Sequence, residues 1–144
     1  VIHDGYEYNR QNKVHNIVNY CKENKTKVEL RVCWQENSGK NCCECEKCWR
    51  TILEIIAENA DPSDYGLEYN KKQLRNFKKL FYKDNNIPEY RKKVYYEAQK
   101  AMRQNVNYKV LPKEIKWFYK TDINKLNYHP IYKLLKKIKN KIIK

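Results

Sequence analysis

Val28-Glu29-Leu30-Arg31-Val32-Cys33-Trp34 and Asn41-Cys42-Cys43-Glu44-Cys45-Glu46-Lys47-Cys48-Trp49-Arg50 hold five of the six cysteines of a 144-residue chain. The first stretch alternates apolar and polar residues over 28–33, which predicts one short strand with a buried face. In the second, Cys42, Cys45 and Cys48 recur at every third position, and Cys33 precedes them by nine, giving Cys-x8-Cys-x2-Cys-x2-Cys. A two-residue gap lets a tight turn aim both thiolates at one ion, and four such ligands suit tetrahedral zinc. Cys33 would come from the strand end, with Cys45 and Cys48 from the first turn of a helix over 44–59. The partial positive charge of that helix end favours thiolate over thiol.

Other readings of the cluster exist. An iron–sulfur cluster also uses closely spaced cysteines, but the usual downstream Cys-Pro is missing. Disulfides or plain reduced thiols are the third reading, and the crowding of five cysteines into sixteen residues argues against a disulfide framework. Four thiolates on Zn2+ leave a net charge of −2, which Lys40, Lys47 and Arg50 stand near enough in sequence to offset. No ligand position would stay open, so the metal reads as structural. Cys43 reads as a spare thiol pointing away, and Cys21 as a small core residue on a helix face.

Outward from the cluster, apolar spacing predicts a helix over 8–23 carrying Val14, Ile17, Val18 and Cys21. The helix over 44–59 shows one stripe, Trp49, Ile52, Leu53, Ile56 and Ala60, and is expected to pack on one side only. Asp61-Pro62-Ser63-Asp64 is a turn, with Ser63 or Asp64 able to cap the next helical segment. Beyond it the pattern is almost wholly helical, over 67–82, 88–104, 113–119 and 131–143. The expected fold is therefore mainly α with one short β-strand, a four-cysteine zinc knuckle between strand and helix, and a helical extension. Two regions are expected, a zinc-knuckle region 1–66 and a basic helical extension 67–144.

The charge supports that division. The whole chain carries +14, but residues 1–66 hold 9 Lys+Arg against 11 Asp+Glu, while 67–144 hold 22 against 6. Part of the Lys excess goes with an Asn-, Ile- and Tyr-rich bias of the kind an AT-rich genome imposes on any surface. In 131–143, Lys133, Lys136, Lys137, Lys139 and Lys141 face away from Ile131, Leu134, Leu135, Ile138 and Ile142. That pattern fits a solvated outer face, a nucleic-acid-binding helix or a membrane-surface helix. Aromatics interleave with the lysines of this region, as base-stacking surfaces require, although Phe77, Phe81 and Tyr95 fall on core stripes. No run of 18 apolar residues spans a membrane, and a cluster of reduced thiols suits the cytoplasm. His3, His15 and His129 are scattered and read as surface or capping residues. No catalytic constellation stands out.

Val32-Cys33-Trp34, Asn41 to Arg50, and Asp61-Pro62-Ser63-Asp64-Tyr65 together resemble the C-terminal zinc segment of the PP-loop ATP pyrophosphatases. The likeness is to the 7-cyano-7-deazaguanine synthase-like members and to uncharacterised relatives near surface-polysaccharide genes. It covers roughly residues 5–66, and in that family a Lys-bearing helix precedes a strand ending in the first Cys, an order that Lys13 and residues 28–33 fit. The resemblance implies Cys33, Cys42, Cys45 and Cys48 as ligands of structural Zn2+, and ATP as a cofactor of the whole protein. The family's Ser-Gly-Gly-x-Asp-Ser loop is missing: the three glycines, Gly5, Gly39 and Gly66, are far apart, so no Gly-rich backbone cradles phosphates. The chain also continues well past the Asp-Pro-x-x-Tyr at which the synthases end. Together with the opening Val1, this leads to the expectation of a C-terminal part of a longer protein, whose partner is its own N-terminal ATP-binding region. The alternative is a stand-alone zinc-stabilised basic module that binds nucleic acid through 67–144.

Overall fold

A computed structural model describes residues 7–83 and 87–125. Five α-helices follow one another: α1 Arg10–Glu23, α2 Glu46–Ala57, α3 Lys71–Lys83, α4 Glu89–Asn105 and α5 Lys116–Lys120, with short 3-10 turns at Pro62–Tyr65 and Ile123–Lys125. The helix expected over 131–143 lies outside the described residues. Among the described residues there is no β-strand, which corrects the expected mixed fold. None of these helices is long and apolar enough to cross a membrane.

The missing strand has a local cause. A strand needs a neighbour with a row of backbone groups to pair with, and residues 28–33 find single contacts instead. The Leu30 N–H donates to the Tyr65 carbonyl at 3.0 Å. Beyond that the partner is one side chain: Asn41 Oδ1 accepts from the N–H groups of Val32 and Cys33, both at 3.1 Å. Asn41 Nδ2 donates to the carbonyls of Leu30 at 2.6 Å and Gly66 at 2.8 Å. An Asn side chain offers the same donor and acceptor as a peptide unit, so it satisfies an extended segment without forming a ladder.

Helix ends follow their sequence signals. Asn9 and Asn12 make a reciprocal capping box at the start of α1, which settles two of the orphan N–H groups of its first turn. Asn70 and Gln73 do the same for α3. Asp61, rather than Ser63 or Asp64, caps the Pro62–Tyr65 turn, its carboxylate accepting from Ser63 N at 2.9 Å. Gly66 closes that turn at φ +72°, a left-handed position that glycine takes without strain.

The second helix, α2, is the centre of the molecule. Its apolar stripe is buried, but so are Thr51, Glu54, Ile55 and Ala57. The expectation of one-sided packing is thus corrected: α1 covers the Thr51–Glu54 face, while α4 also packs on α2 and Trp49 of the stripe meets Phe77 of α3. The α1–α2 seam is polar and paired. Arg10 Nε donates to both carboxylate oxygens of Glu54, at 2.8 and 3.0 Å, and Arg10 Nη2 to Thr51 Oγ1 at 2.8 Å. One turn on, Glu58 accepts from Gln11 at 2.6 Å and meets His15 Nδ1 at 2.7 Å. His15, read from sequence as a surface or capping residue, thus joins the seam while remaining about half exposed. Burial raises the Glu54 carboxyl to about 7, against the pull of Arg10.

Across the other side of α2, aromatic rings bind α3, α4 and α5 into one core. Trp49 stacks on Phe77 with centroids 4.9 Å apart, and Phe81 packs edge-on to Tyr95 at 5.0 Å. The cluster of buried side chains runs from Val14 to Ile123, across both regions of the chain.

Candidate metal centre

Cys33, Cys42, Cys45 and Cys48 arrive from three different local structures. Cys33 ends the extended segment, held in place by its N–H bond to Asn41. Cys42 follows Asn41 directly. Cys45 is the N-cap residue of α2, its carbonyl accepting from Trp49 N at 3.0 Å, and Cys48 lies in the first turn. A positive φ of 52° at Cys43 turns the chain sharply between Cys42 and Cys45.

Their four sulfurs all lie within 4.8 Å of one another. Cys45 Sγ is 3.4 Å from Cys48 Sγ and 3.9 Å from Cys33 Sγ, and Cys42 Sγ is 3.9 Å from Cys48 Sγ. Tetrahedral coordination with Zn–S bonds of about 2.3 Å places sulfurs about 3.8 Å apart. The observed separations straddle that value. They are also far longer than the ~2.05 Å of a disulfide, and all six cysteines are free thiols. Four cysteines gathered this closely can hold a metal ion.

The surroundings act on the four sulfurs unequally. Cys42 Sγ accepts from the backbone N–H groups of Glu44 at 3.4 Å and Cys45 at 3.3 Å. For Cys33, burial opposes ionisation, but hydrogen bonds from Cys42 and from the backbone of Gln35 and Glu36 outweigh it and bring the thiol down to about 6. Burial pushes Cys45 and Cys48 up. A buried thiolate cluster of that kind is stabilised by a cation at its centre. Three of the four sulfur-bearing residues are buried and Cys42 is half-buried, so such an ion would sit apart from solvent.

Cys43 is buried, with its thiol held up to about 11 chiefly by burial, and it stands outside the four-sulfur group. Cys21 is likewise buried, among the core residues of α1. Two of the three cations expected to offset the cluster's charge have other partners. Lys47 Nζ lies 3.2 Å from the ring centroid of Trp34, and Arg50 pairs with Glu46 at 3.5 Å. For Lys40 only the backbone carbonyl is engaged, accepting from Arg31. Beside Cys45 opens a cavity of about 540 Å3, walled by Trp49, Phe77, Phe81 and Tyr95.

One residue of the centre escapes a motif reading. Asn41 ties the first ligand's segment to the loop that carries the second, a role that the cysteine spacing does not disclose. Its signal is only that Asn is the side chain best able to stand in for backbone. Comparison of the chain with protein-family models, with curated proteins and with solved structures finds no match to any of them.

Proposed function

We propose that Cys33, Cys42, Cys45 and Cys48 hold one structural Zn2+, and that this zinc-stapled helical module is the C-terminal part of a PP-loop ATPase-like protein. The observation that carries the metal reading is the meeting of four sulfurs, at separations of 3.4–3.9 Å where hydrogen-bonded, over the start of α2. Four sulfur ligands leave the ion no open position, so its role is to fix the loop 33–45 to α2. An all-thiolate site suits zinc in a reducing compartment, here the cytoplasm. The family reading rests on the cysteine spacing followed by Asp61-Pro62-Ser63-Asp64-Tyr65, and on α1, with Lys13, preceding Cys33. An extended segment without a ladder replaces the strand of that pattern. ATP-dependent chemistry would belong to an N-terminal region of the same protein, since no Ser-Gly-Gly-x-Asp-Ser occurs in these 144 residues.

Elemental analysis of protein purified without added metal tests the staple: about one zinc per chain is expected, and folded, metal-free protein refutes it. The family reading is tested by the gene itself. A reading frame beginning at Val1, with no Ser-Gly-Gly-x-Asp-Ser encoded upstream, defeats it while leaving the zinc proposal intact.

A further inference from the structure

Between α4 and α5, the charged residues are arranged differently from those around the cysteines. Tyr108 and Tyr119 place their rings 5.2 Å apart, tilted by 55°. Lys116 Nζ lies 5.0 Å and Lys120 Nζ 4.9 Å from the centroid of the same Tyr108 ring. Arg103 approaches the Tyr119 ring at 5.8 Å and donates to the Tyr119 carbonyl at 2.7 and 2.9 Å. The Lys116 ammonium also donates to the Lys109 carbonyl at 3.3 Å.

None of these cations is in an ion pair among the described residues. Residues 100–121 contain six Lys+Arg and a single acid, Glu114, and Asp122 pairs with Lys125 at 3.2 Å. Residues 126–144 add six Lys and no Asp or Glu, so they supply no acidic side chain to this place. Two ammoniums held near one ring lie within about a Debye length of each other, where water and salt screen them only in part. Lysines at i and i+4 of one helix repel. Such an arrangement is stabilised by a multivalent anion.

We propose that the Tyr108–Tyr119 ring pair, with Arg103, Lys116 and Lys120, is a binding surface for single-stranded nucleic acid. The three cations would neutralise successive phosphates, and an unstacked base would stack at the solvent edge of the half-buried ring pair. A duplex offers the phosphates but keeps its bases stacked away from the rings. A membrane would offer the charge, yet the rings here carry hydroxyls and Val110 is the one large aliphatic side chain strongly exposed among the described residues. This surface lies in the basic region, and the inference does not rest on the metal reading.

The test uses the full chain, purified with its metal content unaltered, and a fluorescein-labelled oligothymidylate followed by anisotropy. With three phosphates neutralised, log K should fall with log salt at a slope of about −2, a loss of about 20-fold between 50 and 200 mM salt. Lys116→Gln with Lys120→Gln should flatten the slope to about −0.7. Lys13→Gln with Lys25→Gln, which removes the same charge from the far region, should leave it unchanged. Tyr108→Leu should weaken binding about tenfold at either salt. Protection of Lys116 and Lys120 from an amine-acetylating reagent by the oligonucleotide reads the same surface without any substitution. The proposal is overturned by no binding at low salt, by equal effects of the two lysine pairs, by unprotected Lys116 and Lys120, or by equal competition from duplex DNA or anionic vesicles.

Discussion

Residues 1–66 and 67–125 solve the same problem, burying a core in a charged chain, in opposite ways. The first region carries nearly balanced charge and places it inside: Glu54 is fully buried against Arg10, and Glu58 is buried against Gln11 and His15. Among its described residues little outside α1 and α2 is regular, so their order depends on point connections, four cysteine sulfurs and one asparagine. The second region keeps all but one of its described cations, the buried Lys92, at or near the surface and builds its interior from rings instead, Phe77, Phe81, Tyr95 and Phe118. Where regular structure is scarce, polar and metal-ligating residues do the cross-linking. Where helices are plentiful, amphipathic packing suffices. The two regions nevertheless meet in one core, through Trp49 on Phe77 and through the Tyr95 hydroxyl donating to Glu46 at 3.1 Å.

The strongest way to break this contrast is to remove the metal. Structural zinc contributes about 10–16 kcal/mol in small zinc peptides, comparable to or above the whole stability of an ordinary domain. Chelation, or Cys45→Ser, should release zinc and unfold residues 33–60. Because the core is shared, the far-ultraviolet helical signal of α3 and α4 should lose its cooperative thermal transition as well. A preserved transition would show that the basic region folds on its own.

Trp49→Ala attacks the joint between the regions. Its ring is 1% exposed and stacks on Phe77, and truncating a buried aromatic costs about 3–5 kcal/mol. Denaturant unfolding should report that loss, with fluorescence and circular dichroism shifting together.

Glu54 sharpens the description of the acidic region through pH. Its carboxyl ordinarily titrates at 4.5 and is raised to about 7 in the fold, chiefly by burial. The native protein therefore holds this proton more tightly than the unfolded chain. The group's contribution is complete below pH 4.5 and is lost as pH rises to about 7, by roughly 3 kcal/mol. Unfolding midpoints at pH 5 and pH 7.5 should differ less in Glu54→Gln than in the unaltered protein. An unchanged difference would place the pH dependence elsewhere.

The smallest effect is expected at Asn41. Asn41→Ala leaves the backbone groups of Leu30, Val32, Cys33 and Gly66 without their partner, at a cost of about 2 kcal/mol after water satisfies the exposed ones. Zinc should then exchange faster with a competing chelator, since Cys33 loses the bond that places it. Unaltered exchange would mean that the four sulfurs position the segment without help.

Much of this was legible residue by residue. The spacing of apolar side chains located α1 to α4 to within a few residues, because helical periodicity is a property of neighbours three and four apart. The cysteine spacing singled out the same four sulfurs that the fold brings together, because a Cys-x-x-Cys turn is local and leaves only Cys33 to be delivered from a distance. The uneven charge was plain from counting. Three features depended on contacts far apart in sequence. Alternation over 28–33 suggested a strand, but a strand exists only with a partner, and the partner turned out to be the side chain of Asn41. The stripe on α2 suggested one buried face, while its Thr51–Glu54 face is covered by α1 from more than forty residues away. The convergence of Arg103, Lys116 and Lys120 on two tyrosines required α5 to fold back on α4. Local sequence determined which segments coil and which side chains can bind a metal. Only tertiary structure decided which polar groups are buried together, because that choice is made by surfaces that meet after the chain has closed on itself.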